Sequence, residues 1–113
     1  MVNREKYTPL SEQKIESAVV EYAAAEGMTV YKFTSPNVRG VPDRLFLYRG
    51  RAMFIEFKAE NNNQGFDKLQ QLHRDVLAEQ DVPVFLVNGV DQGKGIVNGF
   101  IGAVDAALNY WRQ

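Results

Sequence analysis

The sequence predicts a single α/β domain over residues 1–113, with the element order α-β-β-β-α-β and an additional C-terminal helix. Three observations support this prediction. Apolar residues recur every three or four positions in three segments, which is typical of amphipathic helices. Two apolar runs flank the turn Arg49-Gly50-Arg51, which is typical of a β-hairpin. The run from Pro83 to Val87 is almost entirely apolar, which is typical of a short strand buried on both faces.

The N-terminal half should contain one helix and three strands. Ser11 is a suitable N-cap for the first helix, although Thr8-Pro9 would also allow a start one turn earlier, and Gly27 should end it. Residues 29–34 are rich in β-branched and aromatic side chains and predict the first strand. The loop 35–42 has two prolines and a glycine, and the hairpin follows it.

The second helix should run from about Phe66 to Gln80. Its apolar residues share one side of the helix, and they are Leu69, Leu72, Val76 and Leu77. His73 lies on the same side, which favours a hydrogen-bonded core or interface histidine over a metal ligand or a catalytic base.

The segment after the last strand is harder to assign. Residues 88–95 are rich in glycine and predict a connection, with a turn at Gly93-Lys94-Gly95, which is too short for a phosphate-binding loop. The final helix should then span Gly99 to Arg112. Its apolar face, with Tyr110 and Trp111, should either close the core of this domain or pair two subunits.

The composition is that of an ordinary globular chain and excludes several kinds of site. Because there is no cysteine, disulfides and thiolate metal sites are excluded. The absence is compatible with a reducing cytoplasm, which is the location that we expect. The single histidine excludes mechanisms that need a histidine pair. No run reaches the roughly 18 apolar residues of a membrane span, and no signal-peptide core follows the N-terminus.

The charges are unevenly distributed, although the net charge is only −1. Two acidic residues lie between positions 32 and 58, where there are six basic residues: Lys32, Arg39, Arg44, Arg49, Arg51 and Lys58. Acidic residues concentrate instead in the first helix and around Asp75, Glu79 and Asp81. A locally basic face on a nearly neutral chain can bind phosphates, which makes a nucleic acid a candidate partner.

The residues that indicate chemistry lie around the hairpin. Residues equidistant from a hairpin turn face each other, so position 43 should arrive opposite positions 56–58. Glu56 and Lys58 are two residues apart and should project from the same face of their strand. Asp43, Glu56 and Lys58 are therefore predicted to meet. Two carboxylates, with the carbonyl of Phe57 as a third oxygen, would suit Mg²⁺, and such a site predicts metal-assisted hydrolysis of a phosphodiester.

Each of these residues also has a simpler interpretation. Asp43 could cap a turn after Pro42, while Glu56 and Lys58 could form a solvated strand face. The basic residues could be ordinary surface charges, and Gln70 could be an ordinary residue on the surface of its helix.

The combined pattern resembles a known family. Pro42-Asp43 with Glu56-Phe57-Lys58 resembles the PD-(D/E)XK nuclease motif, and the predicted element order is similar to the restriction-endonuclease-like core of that superfamily. The match is closer to the VRR-NUC family, the virus-type replication and repair nucleases, which include small stand-alone phage proteins. The resemblance spans residues 11–87, and its segments are Lys32–Pro36, Arg39–Arg44, Phe54–Lys58 and Gln70.

The resemblance implies roles for individual residues. Asp43 and Glu56 would hold Mg²⁺ or Mn²⁺, and Lys58 would activate the attacking water. The family also has a glutamate in the first helix that would help to hold the metal. It falls best on Glu16, with Glu12 one turn earlier and Glu21 further round the helix as alternatives. The glutamine of the second helix falls on Gln70, with Gln71 adjacent. The residues that would contact DNA are Lys32, Ser35, Arg39, Arg44 and Gln70.

The resemblance also implies a substrate. Small members of the family resemble Holliday-junction resolvases, so we expect a homodimeric endonuclease for branched DNA, acting in a bacterial or phage-infected cell. Two alternatives remain: a nuclease directed at flaps or ends, and a DNA-binding module without catalysis. The chain departs from the usual family pattern at Ala59-Glu60, where a turn with glycine and proline is common, and at Asp81, where a glycine is usual.

Overall fold

The computed structural model describes residues 6–34, 37–42 and 44–111. Four strands form one sheet in the order β1-β2-β3-β4, in which β1, β2 and β3 are antiparallel and β4 is parallel to β3. The predicted element order is confirmed. The elements are α1 (Glu12–Ala25), β1 (Thr29–Lys32), β2 (Arg44–Tyr48), β3 (Arg51–Phe57), α2 (Lys68–Glu79), β4 (Val84–Val87) and α3 (Val90–Tyr110).

Helix α1 begins where its capping residue predicts. The Ser11 hydroxyl accepts a hydrogen bond from the Lys14 N–H at 3.2 Å, so one of the unpaired amides of the first turn is satisfied. Gly27, just beyond the helix, has a φ of +97°, a conformation that glycine adopts without steric cost. Ile15, Val19 and Ala23 are fully buried on one side of α1.

The hairpin turn joins β2 and β3 in a fixed register. Arg49 and Gly50 have positive φ values of 48° and 79°, the backbone twist that two-residue hairpin turns favour. Tyr48 then pairs with Arg51, and the ladder runs to Arg44 opposite Ile55.

Strand β3 has two very different faces. Met53, Ile55 and Phe57 belong to the main core, together with residues of α1 and α3. Side chains alternate along a strand, so Phe54 and Glu56 face the opposite side. Helix α2 lies on that second side, because its residue Gln70 contacts Glu56.

Helix α3 starts much earlier than the sequence predicts. The prediction of a connection over residues 88–95 with a turn at Gly93–Gly95 is wrong, because α3 begins at Val90. Gly93 is buried in the contact between helices. A Cβ atom at this position would lie 2.5 Å from Cγ2 of Val19 and 3.2 Å from Cγ1 of Val87. The glycine therefore serves close packing rather than a turn.

Several apolar side chains stay exposed. On α2, Leu69, Leu72 and Val76 are each about half exposed, so the predicted apolar side of this helix is not buried. Tyr110 and Trp111 are 67% and 82% exposed, and they do not close the core. Among the described residues, no helix is both long and apolar enough to cross a membrane.

Helix α2 begins two residues later than predicted, at Lys68, because Asp67 caps it. Beyond its C-terminal end, Asp81 has a φ of +60°. Glycine adopts this left-handed conformation without steric cost, so Asp81 occupies a position that suits glycine.

Candidate active site

Glu56 lies near the end of β3, on the side of the sheet that faces α2. Only 7% of the residue is exposed, and it is the one charged residue that is buried among those the structure describes. Burial of a carboxylate is costly unless partners compensate for the lost hydration. Such a residue at a strand end is therefore a strong candidate for function.

Among the described residues, the side chains of Gln70 and Lys58 contact Glu56. The side-chain amide of Gln70 donates from Nε2 to Glu56 Oε1 at 2.9 Å. Lys58 Nζ is 3.9 Å from the same oxygen, at the limit of an ion pair, and the Lys58 side chain is 18% exposed. The structure thus brings together three of the predicted site residues. It also distinguishes Gln70 from Gln71, whose amide donates to the carbonyl of Phe66.

The start of α2 fixes the Gln70 side chain. Gln70 Oε1 accepts from the Asp67 N–H at 3.0 Å, and the Gln70 N–H donates to Asp67 Oδ1 at 2.8 Å. This reciprocal arrangement is a capping box. One side of the amide therefore anchors the helix, and the other side reaches the buried carboxylate.

Glu16 is engaged by a different residue. Arg44 donates from Nε to Glu16 Oε1, and the two side chains are 25% and 18% exposed. Glu12 and Glu21 are exposed. Glu16 is therefore held beside β2. This ion pair occupies Nε of Arg44, a residue expected to face DNA. The metal-binding role of Glu16 and the DNA-binding role of Arg44 stay predictions.

The other predicted site residues are placed as follows. Asp43 and Ser35 lie outside the described residues, so the approach of Asp43 to Glu56 stays a prediction. Lys32 is exposed at the end of β1, where it pairs with Arg44 in the sheet register. Arg39 is exposed in the loop before β2. The Phe57 side chain is buried in the core, and the role of its carbonyl stays a prediction.

A cleft of about 560 Å³ opens beside Glu56. It lies between the loop before β2 and the first turn of α2, and its lining residues are Arg39, Gly40, Val41, Glu56, Asp67, Lys68, Leu69 and Gln70. Lys68 is a basic lining residue that was not among the site residues predicted from the sequence. The spacing of Asp67 and Gln70 is a capping-box signal that could have placed Lys68 at the first position of α2.

Helix α2 also contacts the loop on the far side of the cleft. His73 Nε2–H donates to the carbonyl of Arg39 at 2.8 Å, so the histidine has a hydrogen-bond partner, as predicted. Gly40 packs directly on the helix backbone: a Cβ atom there would lie 2.7 Å from Leu69 Cβ and 2.8 Å from the Leu69 carbonyl carbon.

Within the described part of the chain, no three carboxylate or imidazole groups are close enough to hold a metal ion. The metal centre predicted at Glu56 also includes a carboxylate that lies outside that part. Asp43 is the candidate that the sequence offers, since it directly precedes Arg44, whose strand partner Ile55 is the neighbour of Glu56.

Comparison with known proteins gives two informative similarities, although no family model matches the chain. The first is to "Putative nuclease p44" of Acyrthosiphon pisum secondary endosymbiont phage 1, with 45% identity over 51 residues. These residues are 44% of this chain and 55% of the phage protein, so the chain spans about half the length of this curated relative.

The second similarity is to a solved structure described as a VRR_NUC domain. The TM-score is 0.70 with 26% sequence identity, and the match covers 79% of this chain and 96% of that one. The agreement extends over nearly the whole of the other domain. The chain is therefore similar in fold to a VRR_NUC domain, and the resemblance to the VRR-NUC family that the motifs between Lys32 and Lys58 predict is confirmed.

Proposed function

We propose that the chain is a metal-dependent DNA endonuclease that cuts branched DNA, in particular four-way junctions, as a homodimer. The observation that carries the proposal is the buried Glu56 carboxylate, which Gln70 and Lys58 contact beside a cleft with a basic rim. The names of the two similar proteins support nuclease activity, and the phage origin of one supports action in the cytoplasm of a bacterial or phage-infected cell.

The donor atoms available here fit Mg²⁺ or Mn²⁺. Glu56 is buried at the cleft, and every proposed ligand atom is an oxygen, the type that hard divalent cations prefer. Asp43, Glu56, the Phe57 carbonyl and Glu16 would hold the ion. When bound, the cation would neutralise charge on the scissile phosphate.

Lys58 and Gln70 have separate tasks in this proposal. The ammonium of Lys58 lies close to Glu56 and is partly exposed, so it can orient the attacking water and stabilise the negative charge that develops on the phosphate. Gln70 keeps the Glu56 carboxylate in one orientation through its hydrogen bond to Oε1.

Basic side chains give the cleft a route for the DNA backbone. Arg39 and Lys68 line the cleft, and Lys32 is exposed at the end of β1. Phosphate contacts of this kind position a nucleic acid without reading its sequence.

A cleavage assay tests the proposed chemistry. Purified protein should cut a panel of branched and linear DNAs only when Mg²⁺ or Mn²⁺ is present. Asp43→Asn and Lys58→Ala should each lower the rate by about 100-fold or more, since each removes a group needed for hydrolysis. The exposed residues Asp75 and Lys14 provide matched controls, because Asp75→Asn and Lys14→Ala should cut as the parent does. If Asp43→Asn and Lys58→Ala cut as fast as the parent, the proposal is wrong.

The same panel tests the substrate. Two catalytic sites related by a two-fold axis suit a junction with two symmetry-related strands. We therefore expect paired cuts in opposing strands of an immobile four-way junction. We also expect the protein to sediment as a dimer. A single cut at a flap or an end would instead indicate the alternative nuclease.

A DNA-binding module without catalysis is the rival of another class. It has no need of a metal site, so its melting temperature should not rise with Mn²⁺. The proposed nuclease should show such a rise, and Asp43→Asn should abolish it.

A further inference from the structure

We propose that His73 is a positioning residue of the nuclease site. It would hold the loop that leads into Asp43 against the same helix that orients Glu56. This inference rests on the proposed function and adds to it a residue that contacts neither the metal nor the DNA.

The first contact is a hydrogen bond between distant parts of the chain. His73 lies in the second turn of α2, and its Nε2–H donates to the carbonyl of Arg39 across 34 residues of sequence. Arg39 itself lines the cleft, and the chain continues from it through Gly40, Val41 and Pro42 to Asp43. The histidine therefore anchors the backbone four residues before the proposed metal ligand.

The second contact leaves almost no space between the loop and the helix. Gly40 has a φ of +80°, and a Cβ atom there would overlap the backbone of Leu69. The loop thus lies directly on the first turn of α2, one residue after the carbonyl that His73 holds. The hydrogen bond fixes the loop along the helix, while this packing fixes its distance from the helix.

The third contact links the same helix to Glu56. Gln70 and His73 are three residues apart, so they are neighbours on the surface of α2. Gln70 donates to Glu56, and the Asp67 capping box holds Gln70. A single helical turn therefore sets the spacing between the loop that precedes Asp43 and the strand that carries Glu56. In a metal site, supporting contacts of this kind govern how well the ligands are placed.

The experiment compares two substitutions of His73. His73→Leu removes the donor and leaves an apolar side chain of similar size. His73→Gln keeps a donor, since the Nε2 atoms of glutamine and histidine lie at similar distances from the backbone. The control is Glu79→Leu, at an exposed position of the same helix.

The measurements are Mn²⁺ binding by titration calorimetry, junction cleavage, and the melting temperature without metal. His73→Leu should weaken Mn²⁺ binding by about 10-fold and slow cleavage, which is the usual size of effect when a supporting contact of a metal site is lost. His73→Gln and Glu79→Leu should bind Mn²⁺ as the parent does. A purely structural role would lower the melting temperature but leave the Mn²⁺ affinity of the folded protein unchanged.

The outcomes separate this inference from the proposed function. If His73→Leu binds Mn²⁺ like the parent, the positioning role is wrong while the nuclease proposal stands. If the parent neither binds Mn²⁺ nor cuts DNA, the proposed function itself fails.

Should His73→Leu not fold, His73→Asn replaces it, because its shorter amide cannot reach the Arg39 carbonyl. Mn²⁺ binding by that variant equal to the parent's would also overturn the inference.

Discussion

At the scale of single residues, the Gln70 amide shows how one side chain can both cap a helix and contact the candidate site. Its oxygen accepts from the Asp67 N–H and its nitrogen donates to Glu56, so only one orientation of the amide satisfies both partners. A rotation by half a turn would place the NH₂ group against a backbone N–H and the oxygen against a carboxylate. The orientation is therefore fixed by hydrogen-bond polarity.

The carboxylate of Asp105 joins α3 to the hairpin. The Tyr48 hydroxyl and Arg49 Nη1 both donate to Asp105 Oδ1, at 2.8 and 2.7 Å. The Arg49 hydrogen bond, with a smaller contribution from Tyr48, lowers the pKa of Asp105 below its ordinary value of 3.8. The carboxylate therefore stabilises the folded chain at neutral pH.

Asp105→Asn should reveal this contribution through its pH dependence. Because the folded pKa is depressed, the stabilisation is complete well above pH 3.8 and is lost as the pH falls through the folded value. The variant should therefore unfold more easily than the parent from about pH 5 to pH 7, and the difference should shrink towards about pH 3. Urea unfolding across this range measures it. A difference that stays constant down to about pH 3 would contradict the prediction.

At the scale of elements, α3 depends on glycines that play different parts. Gly93 is buried and allows α3 to approach Val19 of α1, whereas a Cβ at Gly95 or Gly99 would meet nothing within 4 Å. Helix α3 therefore contains one glycine that a close helix contact requires, at position 93, and two with open space around them, at positions 95 and 99. Substitutions of the two kinds should change the free energy of unfolding in opposite directions.

Gly93→Ala should lower the free energy of unfolding by about 2 kcal/mol, because the added methyl group overpacks the contact with Val19. Gly99→Ala should raise it by up to about 1 kcal/mol, because alanine favours a helix over glycine. Denaturant unfolding of both variants measures the two effects. Equal changes of the same sign would show that the helix contact is not the determining factor.

The same glycines explain why the start of α3 could not be predicted from the sequence. The hairpin, α1 and β4 are predicted well, because turn residues, capping residues and apolar periodicity act locally. The first turns of α3 are missed, because glycine is a poor helix former and the contact that favours it at position 93 comes from Val19, far away in sequence. Tertiary packing outweighs local propensity there.

The candidate site was predictable to a similar extent. The shared side of Glu56 and Lys58 follows from strand alternation alone. The choice between Gln70 and Gln71 does not follow from strand alternation. It depends on the rotation of α2 about its axis, which is fixed by the start of the helix at the Asp67 capping box. The partner of His73 is a backbone carbonyl in a loop, and no sequence pattern marks such an acceptor.

At the scale of the whole molecule, the proposed DNA binding rests on where the charged side chains lie rather than on their net charge. The chain has a net charge of −1, yet the cleft beside Glu56 is lined by Arg39 and Lys68. Helix α3 belongs to the layer on the other side of the sheet, where it packs with α1 around the core. The proposed DNA contacts of Arg39 and Lys68 therefore lie on the α2 side of the sheet.

Lys68→Ala and Arg39→Ala should each weaken DNA binding and reduce the slope of log K against log salt concentration by about one, the effect of losing one phosphate contact. Lys94→Ala is the control, because Lys94 lies on α3 above the Tyr22 ring. Fluorescence anisotropy with labelled DNA at several salt concentrations gives the slopes. An unchanged slope for both cleft variants would place the DNA on another surface.

The exposed end of α3 has a practical consequence. Trp111 is the only tryptophan of the chain, it is 82% exposed, and it packs edge-to-face against Tyr110. Its intrinsic fluorescence should therefore be red-shifted and readily quenched by acrylamide in a monomer. A blue shift with rising protein concentration would mean that two copies meet at this end, so the molecule carries its own optical reporter of assembly.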